Sequence, residues 1–281
     1  MNYMGTSHRH KASIVGQPNW GDCSAAVTGI AGDIKKGEEL NAQLQKPQTP
    51  KQQVQTQKKL SAIDKRVRSN YHKAVRNLVR AAGGRTRVIS GSSHAVGSAG
   101  ISIANGFINK FNEIVSNGLD AWLKRKGLDT LQGKSCKEVL DLIRSYIDYD
   151  IIGLDDTAEN ESLEHVMETL ENRIGDDLEK FDEVMGNILN GEEIKDIIDE
   201  FFGMYIYSHL SQDFSEKLEF EKGTEIMLQT MAEIKELILE DVKFGILKRP
   251  AEQIDWTSPE SHVYIQKEFD RILFILSGDE D

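Results

Sequence analysis

The residues best suited to chemistry lie at the very start of the chain, where Met4-Gly5-Thr6-Ser7-His8-Arg9-His10 runs on to Gly16-Gln17-Pro18-Asn19-Trp20. Gly, Ser, Thr, Asn and Pro dominate this stretch and it has no periodicity, so it reads as an extended tail carrying a recognition element. If the chain starts at Met4 and that methionine is removed, Gly5 presents an unhindered α-amine. Such an amine has a pKa near ~8, below that of lysine, so a useful fraction is uncharged and nucleophilic at neutral pH while Lys11 stays protonated. Gly5, Thr6, Ser7 and Trp20 are therefore the candidate acceptor and recognition residues. Met1-Asn2-Tyr3 would bury the glycine inside the chain if it persisted.

A second constellation is cationic. Lys65, Arg66, Arg68, Lys73, Arg76 and Arg80 lie on a predicted helix opposite an apolar stripe of Ile63, Val67, Tyr71, Val75 and Leu78/Val79, and Arg85 and Arg87 come next. Such a face could neutralise several phosphates with little sequence preference, or meet an acidic protein surface. No base-reading motif accompanies it. The net charge of −12 favours the acidic surface, because it hides a split: residues 1–90 carry 16 Lys and Arg against 5 Asp and Glu (+11), and the remainder 18 against 41 (−23).

Other candidates resolve into structural roles. Gly127–Ser135 (GLDTLQGKS) resembles a phosphate loop, but it has five residues between its glycines where that motif has four, and no buried strand precedes it. His8 and His10 alone leave a metal site incomplete, and Cys23 and Cys136 show no zinc spacing. The paired carboxylates, such as Asp155-Asp156 and Glu192-Glu193, suit helix starts and solvated faces. No nucleophile has a base in register, so no catalytic residue, metal ligand set or cofactor is assigned and the chain reads as no enzyme.

The elements that would position these groups are helical throughout. Residues 1–60 are expected to be a flexible arm, with a small-residue patch at Ser24–Gly32 able to make a short helix and Gln43–Lys59 as a Gln/Lys/Pro tether. Residues 61–118 read as the basic helix, capped by Ser61 with Asp64, then a Ser/Gly-rich segment over Arg85–Gly100 that is either a flexible connector or a close-packing turn, and a small-residue helix. Residues 119–281 read as an acidic helical domain with helices near 119–126, 135–147, 158–173, 177–189, 192–211, 223–248 and 259–276, several marked by caps such as Ser135 with Glu138 and Ser258-Pro259. The expected fold class is all-α, a multi-helix bundle behind a disordered, basic N-terminal arm. The longest apolar run, around Phe201–Tyr207, is far shorter than the ~20 residues of a membrane span, so a cytoplasmic chain without membrane contact is expected.

Taken together, the Met4–Ser7 start, the Trp20 segment, the Tyr71–Arg76 helix with its Gly/Ser loop, and the Gly127–Lys134 turn before Val139–Ile143 make the chain similar to the QatB family of bacterial anti-phage systems. The resemblance runs from Met4 to about Val242. It implies an operon containing an ATPase, a QueC-like (QatC-like) enzyme and a TatD-like nuclease, with this chain as the member lacking a recognisable enzyme fold. A QueC-like enzyme activates a carboxylated deazapurine with ATP and passes it to an amine. The resemblance thus implies a non-enzymatic defence subunit whose arm is the substrate or docking peptide of that partner, at Gly5. The alternative is a nucleic-acid adaptor that uses the basic helix to present DNA to the nuclease.

Overall fold

The structure, a computed structural model, describes residues 20–93, 96–127, 133–150, 157–175, 177–247 and 254–278. Within them the chain forms eleven α-helices and no strand. They are α1 (Trp20–Leu44), α2 (Pro50–Ala81), α3 (Arg85–Ile89), α4 (Ser98–Asn117), α5 (Leu119–Arg125), α6 (Cys136–Asp150), α7 (Thr157–Ile174), α8 (Phe181–Asn190), α9 (Glu193–Lys222), α10 (Thr224–Leu247) and α11 (Glu260–Leu276), with a 3-10 turn at Leu178–Lys180 before α8. The chain is all-α, as its periodicity implies.

α1 and α2 form an antiparallel hairpin. Gly29 lies against Asn70, Asp33 against Arg66 and Gly37 against Ile63, so the register runs in opposite senses along the two helices. Here the structure departs from the expected arm. Trp20 is not on an extended tail but opens α1, and the Gln43–Lys59 tether is helical from Pro50 onward. The actual cap is Thr49, whose side chain accepts from the Gln52 backbone N–H while the Gln52 side chain accepts from the Thr49 backbone N–H, with Pro50 at the first helical position. Gln and Lys are good helix formers, and a helix anchored downstream by Ile63, Val67 and Tyr71 propagates backward without a new nucleus. Only Thr56 is buried in the first ten residues, which is why the segment resembles a linker in composition.

α9 is the axis of the molecule, packing on α7, α8, α10 and α11 and touching α1, α2 and α4. Ile194, Ile197, Ile198, Phe201, Phe202, Tyr205 and Ile206 are buried on every side of it, as a helix enclosed by others requires. It continues past the expected end near 211 because Leu210, Phe214 and Leu218 extend one apolar row at i, i+4 spacing, and it stops at Gly223 (φ 89°). Phe202 stacks on Phe269 of α11 at 4.3 Å, and Phe201 meets Phe107 of α4 edge-on at 5.5 Å. Buried side chains from Trp20 to Leu276 join in one continuous core.

The Ser/Gly connector proves to be a close-packing turn. Gly97 has φ 110°, its N–H donates to the Tyr205 hydroxyl at 2.9 Å, and a Cβ there would lie 2.2 Å from the Val88 carbonyl oxygen. Only glycine fits that position. His94 and Ala95, within this turn, lie outside the described residues.

Candidate functional site

The eight expected cations divide into four that are bound to partners within the fold and four that are exposed. Arg66 grips Asp33 of α1 through Nε (3.1 Å) and Nη2 (2.9 Å), closing the hairpin on itself. Arg68 reaches α10, donating to Glu240 at 2.8 Å and to the buried Asp241. Arg76 donates to the Ser277 carbonyl at 2.8 Å, where α11 ends and its last carbonyls need donors. Arg85 of α3 holds Asp270 of α11, with Nη2 to Oδ2 at 2.9 Å, and its guanidinium lies 5.4 Å from the Phe274 ring centre. Lys65, Lys73, Arg80 and Arg87 are exposed, and none of these four makes an ion pair among the described residues.

Within this face Arg68 and Arg76 hold the hairpin onto α10 and the end of α11, and Arg85 ties α3 to α11. Beside the Arg68 contact His72 Nε2 stands 3.4 Å from Asp241 Oδ2. Tyr71, fully buried one residue away, has its hydroxyl pKa pushed up by burial first and then by the Asp241 carboxylate. The Arg68 charge is disfavoured by partial burial, yet Glu240 and Asp241 outweigh that and hold its pKa above the ordinary guanidinium value. Gly278 packs so closely on His72 that a Cβ there would lie 1.8 Å from Nδ1. The end of α11 is thus locked against α2.

Trp20 is 3% exposed, its ring 6.2 Å from that of Phe214 in α9. Burial commits the side chain to the core and removes it from any surface a partner could read. Gly5, Thr6 and Ser7 lie outside the described residues, as do His8, His10 and residues 128–132 of the turn that resembles a phosphate loop. The end of that turn is a capping box for α6: Glu138 N–H donates to Ser135 Oγ at 3.2 Å, and the Ser135 N–H (2.7 Å) and hydroxyl (3.1 Å) donate to the Glu138 carboxylate, which lowers its pKa. Cys23 is buried, donates to the Ala74 carbonyl at 3.2 Å, and has its thiol pKa raised by burial and then by Asp213. It is an inert thiol. Among the described residues no group of three or more His, Cys, Asp and Glu is placed to hold a metal ion, and no helix is long and apolar enough to cross a membrane.

Sequence reasoning found the cations and missed their partners. It also missed a second ionic lock, in which Arg271 of α11 bonds the fully buried Asp199 of α9 and, at 2.7 Å, Glu268; burial opposes its charge, but the two carboxylates prevail and raise its pKa. The one signal for it in the sequence is the opposition of a basic first third to an acidic remainder, which implies pairing without naming pairs. One family model matches the chain over residues 90–275, more than half its length, and is described as Qat anti-phage system associated protein QatB. The match spans α4 to α11 and leaves the α1–α2 hairpin outside it. Neither the curated proteins nor the solved structures provide a match.

Proposed function

This chain belongs to the QatB family of proteins associated with the Qat anti-phage system, and from that premise we propose that it acts in defence as a non-enzymatic subunit. In this reading the helical body is a protein-protein scaffold. The segment beginning Met4-Gly5-Thr6-Ser7 is offered to a QueC-like, QatC-like partner as substrate or docking peptide, with Gly5 as the amine acceptor. The ATPase and TatD-like nuclease of the same operon are further partners, and the chain works in the cytoplasm.

The observation that carries the scaffold reading is the commitment of Arg66, Arg68, Arg76 and Arg85 to intramolecular partners. A face built for phosphates keeps its cations free, whereas half of this one is tied to partners within the fold and only Lys65, Lys73, Arg80 and Arg87 stay exposed outside ion pairs. The nucleic-acid adaptor is thereby the weaker reading. Acceptor chemistry at Gly5 needs a terminus long enough to enter an enzyme cleft, and Gly5 precedes Trp20, the buried first residue of α1, by 15 positions.

Intact-mass spectrometry of the full chain co-produced with a QueC-like enzyme tests this. The expected result is an adduct mapped to Gly5, lost along with phage protection on Gly5→Pro, with helical content unchanged. Full protection by a chain lacking Gly5 to His10 would overturn the acceptor role. Sub-micromolar DNA binding at physiological salt, abolished by reversing Lys65, Lys73, Arg80 and Arg87, would instead favour the adaptor.

A further inference from the structure

Not every carboxylate of the acidic half meets an arginine. Between α1, α2 and α10 runs a groove of about 370 Å³ with an apolar floor that includes Ile34, Ile63 and Val67. Its rims carry Glu38 from α1, Asp64 from α2, and Glu233 and Glu236 from α10, and no Lys or Arg is among the residues lining it. A polar bridge across it is uncharged on one side, Gln229 Nε2 donating to Glu38 at 2.6 Å. The carboxylates feel each other: Glu233 has its pKa raised by burial and then by Glu236, Asp64 and Glu240. A concave apolar floor with four carboxylates at its edge suits an extended segment that is basic and carries some apolar side chains.

The chain supplies such a segment. Residues 1–19 contain Arg9, Lys11, His8 and His10 with no Asp or Glu, and then Ile14 and Val15. They join the described structure at Trp20, the first residue of α1, the same helix that forms one wall of the groove. Ile34 to Asn41, the α1 residues at the groove, lie roughly 21–32 Å along the helix from Trp20. His8 to Lys11 stand 9 to 12 residues before Trp20, a reach of about 30–40 Å fully extended. The slack of several ångströms is enough for the chain to reverse at Gly16–Asn19 and run back along α1.

We propose that the groove between α1, α2 and α10 is the docking site of this chain's own N-terminal segment, with His8-Arg9-His10-Lys11 set against Glu38, Asp64, Glu233 and Glu236. Gly5 to Ser7 then emerge at the far end of the groove, beside the α1–α2 turn, and a partner that takes the segment must first displace it from these carboxylates. The proposal stands whether or not Gly5 is an acceptor, since it concerns the chain by itself.

The test uses the full chain without partners. Trypsin cuts after Arg9 and Lys11 only in the undocked form, so cleavage reports the open population. In the variant Glu38→Gln/Asp64→Asn/Glu233→Gln/Glu236→Gln these cuts should accelerate about tenfold, the size expected when the two ion pairs open to Arg9 and Lys11 are lost together with the charge-assisted hydrogen bonds of His8 and His10. Far-UV circular dichroism should stay unchanged. As a second measurement, Lys11→Cys with Asn41→Cys should give an intrachain bis-maleimide cross-link, since Cys23 and Cys136 are both buried and do not compete. Equal cleavage rates in the two chains would overturn the proposal. So would cross-links only between chains, which would assign the groove to a second copy.

Discussion

The cationic face separates into a structural and a solvated half, and replacing Arg68 tests that division most directly. Its guanidinium joins Glu240 at the surface and Asp241 inside, with side chains 43% and 6% exposed for Arg68 and Asp241. Losing one partner of a fully buried pair costs ~3–5 kcal/mol, because the other charge stays unpaired in a poor solvent. Arg68 is partly in water and Asp241 keeps His72 at 3.4 Å, so the cost of Arg68→Met is discounted to about 2 kcal/mol. For a chain of this size that lowers Tm by roughly 4–8 °C. The comparison is Lys65→Gln/Lys73→Gln/Arg80→Gln/Arg87→Gln, four changes at exposed positions outside the ion pairs, which together should shift stability by less than ~1 kcal/mol. Urea unfolding followed by circular dichroism measures both, and Arg68→Met/Asp241→Asn should recover part of the loss by removing the orphaned charge. If the fourfold variant loses more stability than Arg68→Met, the division of the face is wrong.

Trp20→Ala should cost about 3–5 kcal/mol in the same assay, since it empties a buried site against Phe214; an unchanged midpoint would return Trp20 to the tail as a recognition residue. Gly203→Ala would set a Cβ 2.8 Å from Val242 Cγ2 and 3.2 Å from Ile238 Cγ2 at the closest approach of α9 and α10, so a loss of ~1–3 kcal/mol is expected. Gly97→Ala, with φ 110° and a backbone oxygen 2.2 Å away, should cost more than Gly203→Ala, while Gly127→Ala, with φ 79° and open space around it, should cost only ~1 kcal/mol, and differential scanning calorimetry ranks the three. Burial lowers the His165 pKa below 6.5, in spite of Glu200 at 3.7 Å. Above pH 6.5 both folded and unfolded forms are neutral there; as pH falls through the folded value the unfolded chain has already taken up the proton, so stability drops, and His165→Gln should flatten that part of the stability curve.

Much of the fold was legible because helix caps and 3.6-residue periodicity are local. Ser135 with Glu138, the stripe from Ile63 to Val79, and the helix end before Gly127 all act over one or two turns, and the structure uses each of them. The misreadings came where tertiary anchoring overrode composition. Gln52 to Lys59 is too polar to bury a face, but it continues a helix already fixed at Ile63 and is started by Thr49 and Pro50. Trp20 sits among turn formers in the sequence, and nothing within ten residues announces Phe214, its partner 194 positions away.

The candidate site was legible to the same depth. Periodicity placed the arginines on one side of α2, and the charge split said that an acidic surface would meet them. Which arginine meets which carboxylate depends on how α10 and α11 lie across α2, and those crossings are set by apolar contacts far away in sequence. The consequence is physical: Arg68 finds Asp241 173 residues on and Arg76 finds the Ser277 carbonyl 201 residues on, so the basic half reads as free charge in the sequence and as a fastening in the fold. The groove between α1, α2 and α10 obeys the same logic with the opposite sign. Glu233 and Glu236 lie on α10 beside the row that pairs with Arg68, but they face Glu38 and Asp64 and meet no cation in the groove lining. Having placed its arginines on one part of the acidic half, the fold leaves another part uncompensated next to the helix from which the basic N-terminal residues depart, and that juxtaposition exists only once α1 is seen to be a helix.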